Sequence, residues 1–253
     1  MARIICVTNQ KGGVGKTTTT VNLSSCLAAA EKRTLLIDMD PQGNSTSGVG
    51  IDKNQCEMTT YNVLMGEATI QEVMRPTELE KLYCVPANGN LIGAEVELVT
   101  MEEREIRLKN ALMLVSGQFD YVLIDCPPSL GFLTLNALTA AHSVLIPVQS
   151  EYYALEGLSS LMDTVERVRE SLNPDLEIEG ALLTMHDGRT RLASQVSEEV
   201  RKFFGTKVYN TVIPRNVQLS ESPSYGKPII LYDIRSSGAQ AYLNLTKEII
   251  THG

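Results

Sequence analysis

The chain has 253 residues, 43% of them apolar, and a formal net charge of −8 with a pI near 5.0. A chain of this size and apolar content can bury a large core, and it contains no run of about eighteen apolar residues able to cross a bilayer. The acidic balance disfavours nucleic acid as a default partner, yet residues 186–235 gather Arg189, Arg191, Arg201, Lys202, Lys207, Arg215, Lys227 and Arg235 against fewer acids, which allows a locally positive face.

The first expected strand, Arg3–Thr8, begins almost at once, leaving no room for a signal or transit peptide. Cys6, Cys26, Cys56, Cys84 and Cys126 are odd in number, lack C-x-x-C spacing and mostly sit in apolar runs. They read as reduced core residues, and a cytoplasmic protein is expected.

Directly after the strand comes Lys11-Gly12-Gly13-Val14-Gly15-Lys16-Thr17-Thr18, and a helix is expected over Lys16–Ala30. A glycine-rich turn between a buried strand and a helix N-terminus is a phosphate cradle. Glycines let the backbone wrap closely around the anion, and amide N–H groups and the helix dipole point at it. Lys16 supplies charge for the β- and γ-phosphates, and the Thr17 hydroxyl is placed to ligate Mg²⁺. The alternative is a strand-to-helix turn that is merely glycine-rich. The ordinary Walker pattern would have glycine at position 10, where Gln10 stands, and a second lysine, Lys11, opens the loop. Lys11 is either a solvated loop residue or a cation that stabilises transition-state charge from across a dimer interface, as an arginine finger does in trans.

Further along, apolar runs predict strands at Thr34–Asp38, Lys81–Pro86, Tyr121–Asp125, Ser143–Val148, Glu179–Met185 and Lys207–Ile213. Helical periodicity predicts Glu95–Val115, Leu155–Leu172, Arg191–Phe204 and Gly238–Thr251, with a short helix near Tyr61–Met65 in an otherwise weak stretch from Pro41 to Glu80. Alternating strands and helices point to one α/β domain over residues 1–253. Its expected form is a three-layer P-loop NTPase fold: a twisted, mainly parallel sheet with helices on both faces and its ligand at the carboxyl ends of the strands.

Those strand ends carry acids. In Ile37-Asp38-Met39-Asp40-Pro41, Asp40 fits a residue that positions the attacking water, and Asp38 fits support of the Mg²⁺ shell or of the loop. The alternative is a pair of acids ending a strand before a Pro-Gln-Gly turn. Phe119–Asp125 is a Walker B pattern, in which a buried strand ends on an acid that holds Mg²⁺ through water.

The lysine-led loop resembles the deviant Walker A motif of the ParA/MinD family of P-loop ATPases. The likeness covers essentially the whole chain. It is closest to the chromosomal ParA/Soj branch, through Asp40–Asn44, Ile124–Gly131, Gln149–Leu158, Met185–Thr190 and Ile213–Pro223. The resemblance implies an ATP- and Mg²⁺-dependent dimer in which Lys11 reaches the partner subunit's nucleotide. Gly12, Gly13, Val14, Gly15, Lys16, Thr17 and Thr18 would hold the phosphates, and Pro214 and Asn216 would cradle adenine. Gln149–Gly157 would be the second switch segment, sensing the γ-phosphate.

The branch also implies non-specific DNA binding by the ATP-bound dimer on the nucleoid, release when a ParB-type partner stimulates hydrolysis, and no stable membrane association. Arg189 and Arg215 are the foremost DNA candidates, followed by Arg191, Lys202 and Lys227. Gln218 stands where the family often has another arginine. A cysteine shortly after the Walker B acid ligates an iron–sulfur cluster in the nitrogenase-iron-protein branch, but Cys126 is adjacent to Asp125 and has no well-placed second cysteine. A MinD-like membrane helix is opposed by a short, non-basic C-terminus. A relative that positions another cytoplasmic cargo, such as a chemoreceptor cluster, would share nearly all these residues.

Overall fold

The computed structural model describes residues 2–150 and 154–252. In chain order its strands are β1 (Arg3–Val7), β2 (Thr34–Asp38), β3 (Arg75–Pro76), β4 (Leu82–Val85), β5 (Tyr121–Asp125), β6 (Ser143–Gln149) and β7 (Glu177–Thr184). They form one sheet in the order β3-β4-β2-β5-β1-β6-β7, parallel except for the short edge strand β3. The central strands are buried on both faces, so they read as continuous apolar runs.

Helices α1 (Lys16–Ala29) and α12 (Ser237–His252) cover one face, where Ile5, Val7, Leu123 and Leu145 meet Leu23, Leu27, Tyr242, Leu245 and Ile249. The alternate residues Ile4, Cys6, Ile37, Val122, Ile124 and Ile146 point the other way. On that side lie α3 (Thr60–Met65), α5 (Leu91–Glu97), α6 (Arg107–Met113), α7 (Phe132–Ala140), α8 (Ala154–Ser171) and α9 (Arg191–Phe204). Each fully buried Leu or Ile contributes about 1.5–3 kcal/mol. The expected three-layer α/β fold is therefore the observed one.

Two expected elements differ. The predicted strand Lys207–Ile213 does not form and is reduced to isolated bridges, Ala181 with Val208 and His186 with Pro214. The Asn210 and Thr211 amides donate instead to the Glu248 carboxylate of α12, at 2.7 and 3.0 Å, so the ladder cannot run on. The predicted single helix Glu95–Val115 is broken into α5 and α6 by an extended Met101 and a left-handed Glu103, φ 52°. The break folds the chain back, so that Leu91, Ala94 and Leu98 as well as Leu108 and Leu112 all reach the core. Asn136 of α7 fixes the return by donating to Arg104 O and accepting from Leu108 N.

Among the described residues no helix is long and apolar enough to cross a membrane. α12, in particular, spends its apolar side on the core.

Candidate nucleotide site

The exits of β1, β2 and β5 lie side by side at the carboxyl edge of the sheet, because β5 pairs with both of the others. The loop after β1 turns into α1 through Gly13 and Gly15, whose φ values of 76° and 90° are left-handed. The N-cap of α1 is Gly15, which has no side chain to cap it, so the first turn presents backbone donors and a positive dipole end to the loop. The Thr184 hydroxyl buttresses the loop from β7, donating to Val14 O at 2.8 Å. Gly12 and Gly13 are exposed, and a methyl group added at either would meet nothing within 4 Å.

Lys16 is only 7% exposed, and its Nζ donates to Lys11 O at 3.2 Å across the loop. Burial pulls its pKa below the ordinary lysine value, opposed by the nearby charge of Asp125. Asp125 is fully buried. Its Oδ1 accepts from the Thr20 hydroxyl at 3.1 Å and its Oδ2 from the Ser45 hydroxyl at 2.6 Å, and the Thr17 hydroxyl also hydrogen-bonds to it. A buried carboxylate beside a threonine hydroxyl at the phosphate loop is an all-oxygen donor set. It fits Mg²⁺, a hard cation that keeps waters and takes further ligands from phosphate. Thr17 and Asp125 would hold it. Among the described residues no group of three His, Cys, Asp or Glu side chains is placed to hold a metal without that help.

Asp38 stands directly beside Asp125 in the β2–β5 register and is also fully buried. Burial raises the pKa of both carboxyls, with the Asp125 charge adding to the rise at Asp38. Asp38 makes its contacts with the turn that follows β2. It accepts from Asp40 N, Thr46 N and the Thr46 hydroxyl at 3.1, 2.8 and 2.7 Å. Asp40 is 8% exposed, and its Oδ1 accepts from Gln42 N at 2.9 Å.

Beside the loop, a cavity of about 530 Å³ is lined by Thr18, Thr184, Met185, Pro214, Asn216 and Tyr242 among others. Both residues expected to cradle adenine are in it. Asn216 also caps the short helix α10 (Val217–Glu221), accepting from Leu219 N at 3.0 Å, which fixes the shape of that wall. His186 pairs its backbone with Ile213 O and Arg215 N on either side of Pro214.

Of the cationic candidates, Arg189 and Arg215 lie together, both acting on Asp187. Arg189 is held by Asp187 through Nε and Nη2 at 2.8 and 2.7 Å, with its side chain 90% exposed, and the Arg215 charge also acts on Asp187. Lys202 pairs with Glu199 on α9. Cys126 is fully buried, with its Sγ 3.3 Å from that of Cys6, inside the protein rather than where a shared cluster would sit. The expected second switch segment includes residues 151–153, which lie outside the described residues.

Sequence reading did not single out Ser45, Thr46, Thr20, Thr184 or Tyr242. Small hydroxyl residues after a Pro-Gln-Gly turn carry no local mark of a role; position relative to Asp38 and Asp125 gives them one.

The chain matches the family model described as an AAA domain over residues 2–178. It is 60% identical to the sporulation initiation inhibitor protein Soj of Bacillus subtilis over 253 residues, covering 100% of both chains. It is 58% identical to the chromosome partitioning protein ParA of Myxococcus xanthus, covering 99% of this chain and 88% of that one. Among solved structures, a cobyrinic acid a,c-diamide synthase of Mycobacterium smegmatis with bound ADP and magnesium superposes with a TM-score of 0.88. It is 38% identical, and the match covers 100% of this chain and 95% of that one. With the phosphate loop, the strand-end acids and these full-length likenesses in place, the chain belongs to the ParA/Soj family of chromosome-partitioning P-loop proteins.

Proposed function

We propose that the protein is a switch ATPase: a dimer formed on ATP that binds DNA without sequence preference and partitions chromosome or plasmid origins, released when a ParB-type partner stimulates hydrolysis. The observation that carries this reading is the convergence of Lys16, Asp125 and Asp40 on one rim beside an exposed, unobstructed Gly12-Gly13 face.

In this reading the loop amides and Lys16 bind the triphosphate, and the Thr184–Tyr242 cavity takes the base. Mg²⁺, which Thr17 and Asp125 would hold, would supply charge neutralisation at the phosphates. Asp40 orients a water for in-line attack on the γ-phosphorus; the bond to the bridging oxygen breaks, and ADP and phosphate leave. Lys11 of one copy approaches the phosphates held by the other, so the site is complete only in the dimer. Dimerisation also doubles the phosphate contacts available from Arg189 and Arg215, and each cation set against a DNA phosphate releases counterions. A few cations per copy then suffice to switch DNA affinity.

The test is binding to random-sequence DNA with ATP, ADP and a non-hydrolysable analogue at two salt concentrations, alongside size-exclusion chromatography. ATP or the analogue should be required both for the dimer and for salt-sensitive DNA binding. A monomer on ATP, or DNA binding indifferent to nucleotide, sinks the reading. α12 buries its apolar side in the core, which disfavours the membrane-associated alternative.

A further inference from the structure

We propose that Thr46, a residue with no contact to the nucleotide cavity, is the positioning residue that aims Asp40. This rests on the ATPase reading above and assigns a part of its machinery that the motifs do not mark.

Thr46 is fully buried on α2 (Asn44–Gly48), the turn that follows Asp40. A hydroxyl has one proton to give and lone pairs to receive, and here both capacities are used. Thr46 Oγ1 donates to Asp38 Oδ2 at 2.7 Å and accepts from Ala87 N at 2.9 Å. The Thr46 amide donates to the same Asp38 oxygen at 2.8 Å. The other oxygen, Asp38 Oδ1, accepts from the Asp40 amide at 3.1 Å. A chain of hydrogen bonds thus runs from the exit of β4, through Thr46 and the Asp38 carboxylate, to the backbone of Asp40.

Two further contacts lock the same unit. The Thr60 hydroxyl lies between Asp38 O and Pro86 O, at 2.8 and 3.1 Å. Gly43, with φ 61°, lets the turn nest so closely that an added methyl group would stand 2.5 Å from Ala87 O. The Asp40 turn is therefore fastened to two strand exits, β2 and β4, while the neighbouring Ser45 hydroxyl touches the Asp125 carboxylate. Carboxylate aim at a water needs this kind of backbone support, because small displacements of a catalytic group cost large factors in rate.

The experiment compares Thr46→Val and Thr46→Ser with wild type. Valine keeps the shape but leaves Ala87 N without its acceptor and Asp38 Oδ2 with one donor fewer; serine keeps both bonds. Amide hydrogen exchange over residues 39–48 in the nucleotide-free protein should rise about tenfold or more in T46V and stay near wild type in T46S. Single-turnover ATP hydrolysis should fall about 100-fold in T46V and recover in T46S, while nucleotide affinity changes by less than about threefold. If T46V does not fold, Asp38→Asn carries the test, since its NH₂ group cannot accept at one of the two positions.

Unchanged exchange, or normal turnover in T46V beside an active wild type, overturns this inference alone. A wild-type protein that hydrolyses no ATP overturns the ATPase reading itself. Equal loss of affinity and turnover marks Thr46 as structural only and also overturns the inference.

Discussion

Asp40 and Lys16 sit almost buried within the same rim. For Lys16 burial disfavours the ammonium, and the Asp125 charge partly restores it. In the ATPase reading a triphosphate set in the loop would supply the missing counter-charge, and a cost in the empty protein would become binding energy in the loaded one. Asp40 has no such partner to gain and is held by its own turn, through Gln42 N and the Asp38 carboxylate. Its carboxylate is suited to orient a small neutral molecule rather than to hold the phosphates. Asp40→Ala is therefore expected to retain ATP and lose turnover by about 100-fold or more, the scale of a lost acid/base group. Size-exclusion chromatography with ATP should show an accumulating dimer. A monomer there, or normal turnover, removes Asp40 from the chemistry.

At the scale of elements, the first loop leaves its Gly12-Gly13 face open. A Cβ added at Gly12 would meet nothing within 4 Å among the described residues. Gly12→Val should bind nucleotide within about threefold of wild type and melt normally, because surface changes of this kind seldom move stability by more than about 0.5 kcal/mol. It should fail to dimerise; an equal dimer yield would mean that the subunits do not meet at this face.

A second element depends on one carboxylate. Glu95 of α5 accepts from the Phe132 and Leu133 amides at 2.8 and 3.2 Å, capping α7 just past the Asp125 exit. Glu95→Ala should cost about 0.5–2 kcal/mol, as the loss of an N-cap does. Denaturant melts would measure it, and no change would show that another group takes over the cap.

Two properties belong to the whole molecule. The Asp38–Asp125 pair is raised in pKa by burial, so the folded, nucleotide-free protein ionises these carboxyls less readily than the unfolded chain does. The stability they contribute is fully present below the ordinary carboxylate range near pH 4 and is lost as pH rises toward about 7. Asp125→Asn should flatten this slope in nucleotide-free melts between pH 5 and 8. A slope identical to wild type would show that the pair is not strained by charge. The second property is the pairing of exposed cations with acids on a protein of net charge −8. Arg189 is exposed but paired with Asp187, so in the DNA-binding reading a phosphate would compete for its guanidinium. Arg189→Glu should weaken binding to every DNA sequence and reduce the salt slope by about one per replaced phosphate contact, without changing basal turnover. An unchanged slope would move the DNA site to another face.

The amino-acid sequence by itself determined the strands that end in Asp38 and Asp125, helix α9 to its last residue, the phosphate loop and the family. These are local signals: apolar runs of strand length, one strongly amphipathic helix, and a glycine–lysine spacing that serves one ligand geometry. Tertiary structure decided what local signals cannot hold. It denied a continuous strand to residues 207–213 because Glu248, far along the chain, takes the Asn210 and Thr211 amides, and it split the helix expected at 95–115 so that both halves reach the core. It also gave Ser45 and Thr46 their places, since a hydroxyl acquires a role from the carboxylate it meets, and here Asp125 lies 80 residues from Ser45 in sequence.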